Sequence, residues 1–422
     1  MTKTNTQKIT VIGLGYVGLP LAILIKTRNL SVTGYDINLQ RLAAIKNKSI
    51  KIEDTYAGKF FKKITLPTTN QLKTSDIYIV CVPTPVDESN KPDLKILINA
   101  VKSIARVLEE NQLVVIESTI YPGLCEEIVA PILNKLKKKY YLAHCPERIN
   151  PGDKKWNVNN INRVVGGINE ESTKLAKSFY ESIIDAKIQP LSSIKNAEAT
   201  KILENTFRDV NIALVNEMAQ AFYRMDIDID EVIRAAKSKP FSFMPHYPGI
   251  GVGGHCIAVD PYYMIEVGRA AGFDHELLRT ARKINSNMPI YAVNLLQNLF
   301  NLIGLAIKDR VVGVYGVAYK PNTKDYRESP SFAIIERLSS LKKAKALVYD
   351  PYCPEFSNVD SLDELLLQSE ALIVATAHDQ IKDINYRKFK NGKIKIILDG
   401  RNCLDKESIK KMGIMYKGIG RN

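Results

Sequence analysis

In the stretch 248–263, PGIGVGGHCIAVDPYY, four glycines (249, 251, 253 and 254) precede a lone thiol, Cys256, and Asp260 follows it by four residues. A cysteine that only fills space in a core needs no such flexible approach. Glycines let backbone N–H groups converge on an anion or on a developing oxyanion, and a carboxylate four residues on can share a pocket with the sulfur. A cation is on offer in Lys201, with Asn205 four residues along the same glycine-free segment. A positive neighbour favours a thiolate over a thiol and stabilises negative charge on a reacting oxygen. His255 is adjacent to the cysteine, but neighbouring side chains of an extended loop face opposite ways, so it reads as packing or a ligand contact rather than as a base. No metal-ligand spacing accompanies it, and no metal is expected.

A second glycine cluster suggests what the thiol works beside. VIGLGYVGLPLA (11–22) carries Gly13, Gly15 and Gly18 in the G-x-G-x-x-G arrangement, with Tyr16 and Val17 between the last two. The first glycine permits a sharp turn, the second lets backbone approach a diphosphate, and the third packs helix against strand. The diphosphate then rests on the helix N-terminus. Asp36 closes the next apolar run, and a carboxylate there accepts from the adenosine ribose hydroxyls and repels a 2′-phosphate, so NAD is expected over NADP. Arg41 either covers the adenine or is a surface arginine. A cysteine beside NAD has a specific use: a first hydride loss turns an alcohol into an aldehyde, the thiolate adds to it, a second hydride loss gives a thioester, and water releases an acid.

These residues need a frame to hold them. KITVIGLG (8–15), SVTGYDI (31–37), DIYIVCVPTP (76–85), QLVVIESTI (112–120) and YYLAHCPER (140–148) read as buried strands separated by helical spacing, the signature of a parallel sheet covered on both faces. From about Ile194 the pattern becomes helical, and 194–225 contains neither glycine nor proline. Leu203, Phe207, Val210, Leu214 and Met218 form one stripe of that segment. A second strand–helix series follows in 309–320, 346–352, 370–377 and 394–400. The expected fold is α/β: two Rossmann-like, doubly wound parallel-sheet domains, 1–193 and 306–422, joined by a long central helix and a helical middle domain, 194–305.

With 45% hydrophobic and 25% charged residues, 422 positions supply ordinary globular cores. The net charge of +14 suits ligands that carry several phosphates. Its only dense run, KLKKKYY (135–141), lacks the interleaved aromatics of a single-strand groove, so no nucleic acid is expected. No run is long and apolar enough for a membrane helix, and MTKTNTQKIT shows no targeting pattern. Six scattered cysteines without a C-x-x-C pair point to reduced thiols in a cytoplasmic protein.

CPERINPG, KILENTFRDVNIALVNE, GVGGHCIAVDPYY, GVAYKPNTKDYRESP and DGRN (399–402), in that family's order, resemble the signature blocks of the UDP-glucose/GDP-mannose dehydrogenase family. Its UDP-sugar 6-dehydrogenases oxidise a C6 alcohol to a carboxylate with two NAD. The resemblance implies that Cys256 is the nucleophile and that Lys201 and Asp260 stabilise the oxyanion and manage water. It makes Asn205 a substrate- and water-positioning residue. Thr119, in EST after Ser118, and Glu147, before Arg148 in CPER, would lie near the nicotinamide and C6, both tied to water ordering and general-base work. Alternatively Thr119 is only a helix N-cap, and Glu147 with Arg148 a local ion pair. Pro83 and Thr84 would line the dinucleotide, and Arg327 would reach NAD. Lys320 and Arg401 would hold the nucleotide-sugar, with Tyr247, Gly249, Gly253 and His255 along the glycine loop as further substrate contacts. Arg208 contacts substrate or forms a dimer-interface salt bridge. The implied assembly is a homodimer through the central helix. Ala258 and Val259 replace residues of the G-G-x-C-x-P-K-D pattern of UDP-glucose enzymes, which directs the resemblance to the branch acting on UDP-N-acetylhexosamines and leaves the C2 epimer open.

Overall fold

The computed structural model describes residues 7–87, 89, 91–150, 152–254, 256–341, 343–390 and 392–422. The chain divides into two compact units, Met1–Glu204 with Tyr262–Gly272, and Asn205–Pro261 with Phe273–Asn422.

The first unit is built on eight strands: β1 (Lys8–Ile12), β2 (Ser31–Tyr35), β3 (Thr68–Thr69), β4 (Ile77–Val80), β5 (Gln112–Ile116), β6 (Tyr140–His144), β7 (Arg163–Gly167) and β8 (Ile188–Pro190). Their order in the sheet is β3-β2-β1-β4-β5-β6-β7-β8. The order reverses between β1 and β4, and the loops that leave those strands define the ligand-binding crevice of a Rossmann fold. Every residue of β4 and β5 is buried, because helices cover both faces and leave no polar side for alternation to mark. The five strands read from sequence are present. The same reading missed β3, β7 and β8, of which two are only 2 and 3 residues long. The third, β7, runs antiparallel to β6, so the predominantly parallel sheet has one reversed pairing.

The second unit carries β9 (Val311–Tyr315), β10 (Lys345–Tyr349), β11 (Ala371–Val374), β12 (Ile396–Asp399) and β13 (Met415–Gly418). All pair in parallel, in the order β10-β9-β11-β12-β13. This order also reverses, between β9 and β11.

The glycine- and proline-free segment forms a 31-residue helix, Ile194–Arg224. The helices Ile229–Lys237, Asp260–Ala270 and Glu276–Leu302 complete the helical middle expected from sequence. Met288, Ala292, Leu296, Leu299 and Phe300 on the last of them are fully buried with Val312, Val314 and Ile373 in one core of the second unit. Each of these side chains larger than alanine contributes about 1.5–3 kcal/mol by leaving water.

Candidate active site

The first glycine loop turns as its spacing requires. Gly13 has φ +88°, and a Cβ there would stand 2.8 Å from the Cys81 carbonyl oxygen. A Cβ on Gly18 would come within 2.0 Å of the Gly13 carbonyl oxygen, so only hydrogen lets the helix Gly18–Thr27 close on the turn. Gly15 faces open space, and Tyr16 is exposed. The residue before the helix is Val17, which offers no side-chain cap; in the first turn Leu19 N donates to the Gly15 carbonyl (3.3 Å) and Pro20 has no N–H, which leaves the N–H of Gly18 for an anion. Asp36 accepts from Leu14 N and Asn38 N, 2.9 Å each, one on each carboxylate oxygen. A second lone pair on each oxygen remains for ribose hydroxyls. Arg41 is half-buried, and its Nε donates to the Leu14 carbonyl and braces the loop.

The strand ends beside that loop are stitched together. Ser118 Oγ donates to Val82 O (2.7 Å) and Thr84 Oγ1 to Thr119 O (2.6 Å). The Thr84 carbonyl accepts from Tyr263 Oη at 2.6 Å, while Pro83 is exposed. Thr119 caps no helix; the next helical turn starts at Cys125. Glu147 and Arg148 do not pair with each other through their side chains. Arg148 Nη2 meets Glu204 at 2.5 Å, and its Nη1 donates to Asn162 O at 2.9 Å. Glu147 Oε1 accepts from the backbone N–H groups of Arg148 and Ile149, and its Oε2 is 2.7 Å from Nη2 of Arg163.

In the second unit the glycines serve close packing. A Cβ on Gly253 would lie 2.6 Å from Cβ of Tyr319, and one on Gly254 would lie 2.8 Å from its ring. Gly254 N donates to Arg327 O (3.0 Å) and Gly249 N to Asn216 Oδ1 (2.9 Å). These two N–H groups are therefore committed inside the protein, where the sequence suggested donors for an anion. For Gly254 the reason is the neighbouring segment 319–330, whose Tyr319 ring leaves no room for a side chain, and for Gly249 it is Asn216 of the long helix. Cys256 is half-exposed, whereas Cys81, Cys125, Cys145 and Cys353 are buried. Its carbonyl accepts from Asp260 N at 2.8 Å, so it sits one turn before the helix Asp260–Ala270, where the dipole favours negative charge. Asp260 is buried and accepts from Asn205 Nδ2. Lys201, half-buried, is one turn before Asn205 on the long helix.

Arg401 is packed against Gly249: a Cβ there would approach its Nη1 to 2.9 Å. Its Nε donates to Ala375 O at 2.7 Å. Burial pulls the guanidinium down to about 10, which leaves it charged at neutral pH. With Tyr247, Pro248 and Asn402 it lines a cavity of about 230 Å³. Arg327 forks onto Asp325, with Nε–Oδ1 at 2.8 Å and Nη2–Oδ2 at 2.5 Å. Lys320 is half-buried in the segment that leaves β9, and Arg208 is exposed. His255 lies outside the described residues. Among the described residues no helix is long and apolar enough to cross a membrane.

Three family models match the chain in succession: the NAD-binding domain of the UDP-glucose/GDP-mannose dehydrogenase family over residues 7–184, its central domain over 195–287 and its UDP-binding domain over 313–406. The chain belongs to the UDP-glucose/GDP-mannose dehydrogenase family. Among its relatives, the UDP-N-acetyl-D-mannosamine dehydrogenase of Methanococcus vannielii is 36% identical over 431 residues, covering 99% of this chain and 98% of the relative. The UDP-N-acetyl-D-glucosamine 6-dehydrogenase of Pseudomonas aeruginosa is also 36% identical, over 95% of this chain and 98% of its own. Among solved structures, a UDP-D-ManNAc dehydrogenase from Pyrococcus horikoshii superposes with a TM-score of 0.91 at 35% identity, covering 98% and 99% of the two chains. This dehydrogenase uses NAD, and the loop of Gly13, Gly15 and Gly18, the uncapped helix start and Asp36 fit that cofactor.

Two groups that hold the dehydrogenase's candidate residues escaped the sequence. Arg163, fully buried, joins Glu147 to Glu117, whose Oε2 is 3.1 Å from Nη1 and whose Oε1 accepts from Tyr180 Oη at 2.5 Å. Burial pushes the Glu117 carboxyl up to about 7, against the pull of Arg163. In the second unit Asn216 links Gly249 to Asn285 (2.8 Å), and Asp209 binds Asn285 and Arg282. Asp209 and Asn216 stand seven residues apart on the long helix. That spacing puts two polar groups on one face and was the available signal.

Proposed function

We propose that this dehydrogenase oxidises the C6 alcohol of a UDP-N-acetylhexosamine to the 6-carboxylate in a four-electron reaction, with Cys256 as the covalent catalyst. The carrying observation is that Cys256 is held half-exposed one turn before a helix whose first residue, the buried Asp260, accepts from Asn205. NAD, when bound, supplies the hydride acceptor for each of the two oxidations. Between them, Cys256 Sγ forms a bond to C6 of the aldehyde, and the carbonyl electron pair becomes an alkoxide that takes up a proton. In the thioester that follows, water adds at C6, the C–S bond breaks and the sulfur leaves as thiolate, so one water is consumed per sugar. Lys201 stabilises the alkoxide, and Asn205 and Asp260 orient the water. Thr119 and Glu147 take part in ordering that water and in general-base work. Lys320, Arg401 and the loop residues Tyr247 and Gly249 hold the nucleotide-sugar, and Arg327 serves the dinucleotide.

The N-acetylhexosamine assignment is supported by the names of the two curated relatives and by Ala258 and Val259, buried and apolar where UDP-glucose enzymes differ. The exposed apolar stripe of the long helix supports a homodimer, and six scattered cysteines without a C-x-x-C pair support a reducing cytoplasm. The three-part division at 193/194 and 305/306 accommodates the spans 7–184, 195–287 and 313–406 matched by the family models. An acidic sugar nucleotide suits the biosynthesis of a surface polysaccharide.

The test is a substrate panel of UDP-N-acetylglucosamine, UDP-N-acetylmannosamine, UDP-N-acetylgalactosamine and UDP-glucose, read by NADH absorbance and mass spectrometry of the product. Two NADH per sugar and a 6-carboxylate are expected with an N-acetylhexosamine. One NADH per turnover indicates a single-hydride dehydrogenase, and preference for UDP-glucose overturns the substrate class. Cys256→Ser should retain NAD binding and lose acid formation by at least about 10³-fold, and undiminished turnover excludes the covalent route.

A further inference from the structure

Ligand-binding loops of an open parallel sheet gather where the strand order reverses, and in the second unit that point lies between β9 and β11. The segment leaving β9 carries Lys320, and the one leaving β11 carries His378. A fully buried acid, Asp350, sits at the end of β10 beside them. Its Oδ2 accepts from Val317 N (2.7 Å) and Ala318 N (2.8 Å), its Oδ1 from Tyr352 N (2.7 Å) and Cys353 N (3.0 Å). Burial opposes its charge, but the hydrogen bonds from His378 and these amides win and hold it down at about 2.

His378 is fully buried and has a polar partner on each ring nitrogen. Nε2 lies 3.2 Å from Asp350 Oδ2, and Nδ1 lies 2.8 Å from the backbone N of Asn322. A carboxylate requires a donor and a backbone N–H requires an acceptor. The ring is therefore the neutral tautomer, with its proton on Nε2. Tyr352 stacks on it at 4.8 Å and Tyr315 meets it edge-on at 5.8 Å, which fixes the ring plane. Asn322, in the left-handed region at φ +61°, is gripped again through its side chain: Nδ2 donates to Asp379 Oδ2 (2.8 Å) and Oδ1 accepts from Asp379 N (3.0 Å). On the other side of Lys320, Thr376 Oγ1 donates to Ala318 O at 2.5 Å.

We propose that His378 is a positioning residue: through Asn322 it fixes the Lys320 loop in the shape that receives the nucleotide-sugar. It is buried and acts only through that loop. The inference rests on the assignment of Lys320 as a substrate contact. No residue that only donates or only accepts can take its place, because it must accept from Asn322 and donate to Asp350 at once.

Two variants separate these duties. In His378→Asn the amide Oδ1 takes the position of Nδ1 and keeps the acceptor for Asn322. In His378→Gln the amide nitrogen takes the position of Nε2 and that acceptor is lost. Asn322→Gly keeps the left-handed backbone but removes both bonds to Asp379. In the full-length enzyme, steady-state kinetics and calorimetry with UDP as probe should show His378→Gln raising the UDP-sugar KM and the UDP Kd about tenfold. kcat and the NAD KM should stay within about twofold, and His378→Asn should stay within about threefold of wild type. Asn322→Gly should move the same two constants upward. Equal KM shifts in the two histidine variants, or losses in kcat or NAD KM instead, overturn the proposal. If His378→Gln does not fold, His378→Asn decides, and a UDP-sugar KM raised about tenfold despite the retained acceptor for Asn322 overturns the proposal. Failure of the wild-type enzyme to bind UDP is a different result, which removes the nucleotide-sugar assignment itself.

Discussion

Arg163 is the only cation within 3.1 Å of two buried carboxylates, Glu117 and Glu147, among the ion pairs of the described residues. Removing one partner of such a pair is costlier than the pair is stabilising, because the remaining charges stay out of water. Arg163→Met should therefore destabilise the first unit by about 3–5 kcal/mol, enough to lower its melting temperature by roughly 6–20 °C in calorimetry. A variant that melts within about 2 °C of wild type refutes the role. The same cluster sets a pH dependence. Because folding raises the Glu117 carboxyl to about 7, the folded state binds the proton more tightly than the unfolded chain. Its contribution to stability is complete below the ordinary carboxylate range and is lost as pH rises through about 7. Wild type should lose more melting temperature between pH 6 and pH 8 than Glu117→Gln, and parallel curves would contradict this.

At the scale of elements, the loop before Cys256 is shaped by its neighbour. Gly254 has φ +89°, and a Cβ on it would meet the ring of Tyr319, so Gly254→Ala must either strain the backbone or push the cysteine loop off the segment 319–330. A displacement on the order of 1 Å at a reacting group costs about a hundredfold in rate. Stopped-flow kinetics should show kcat falling about that much with the NAD KM unchanged, and retained kcat would separate loop packing from sulfur placement. The sequence made much of this legible. Gly13, Gly15, Gly18 and Asp36 announced their turn because each spacing answers a steric demand of one local motif. The long helix announced itself by lacking breakers. What escaped was non-local: a glycine in 248–254 has the same letter whether it admits an anion or a tyrosine ring. Likewise, Arg163 became meaningful only when the short, antiparallel β7 brought it between two acids from other strands.

At the scale of the whole molecule, the long helix leaves an apolar stripe in water. Leu203, Phe207, Leu214 and Met218 are all exposed in the single chain, between 36% and 69%, at helical steps that put them on one side. An apolar row rimmed by polar groups marks an association surface, and a two-fold related copy covers such a row with an identical one. Exposed Arg208 lies next to Phe207 in sequence and gives that surface a polar edge. The proposed homodimer is therefore tested on this row, away from the chemistry. Phe207→Asp combined with Leu214→Glu places four carboxylates across a two-fold contact, where like charges in a desolvated interface cost several kcal/mol. Light scattering should then give a mass near the 47.3 kDa of one chain, with secondary structure retained by circular dichroism. A variant that still runs at twice that mass moves the dimer contact off the central helix. One that is monomeric with undiminished kcat shows that each protomer's Cys256 loop works without its partner.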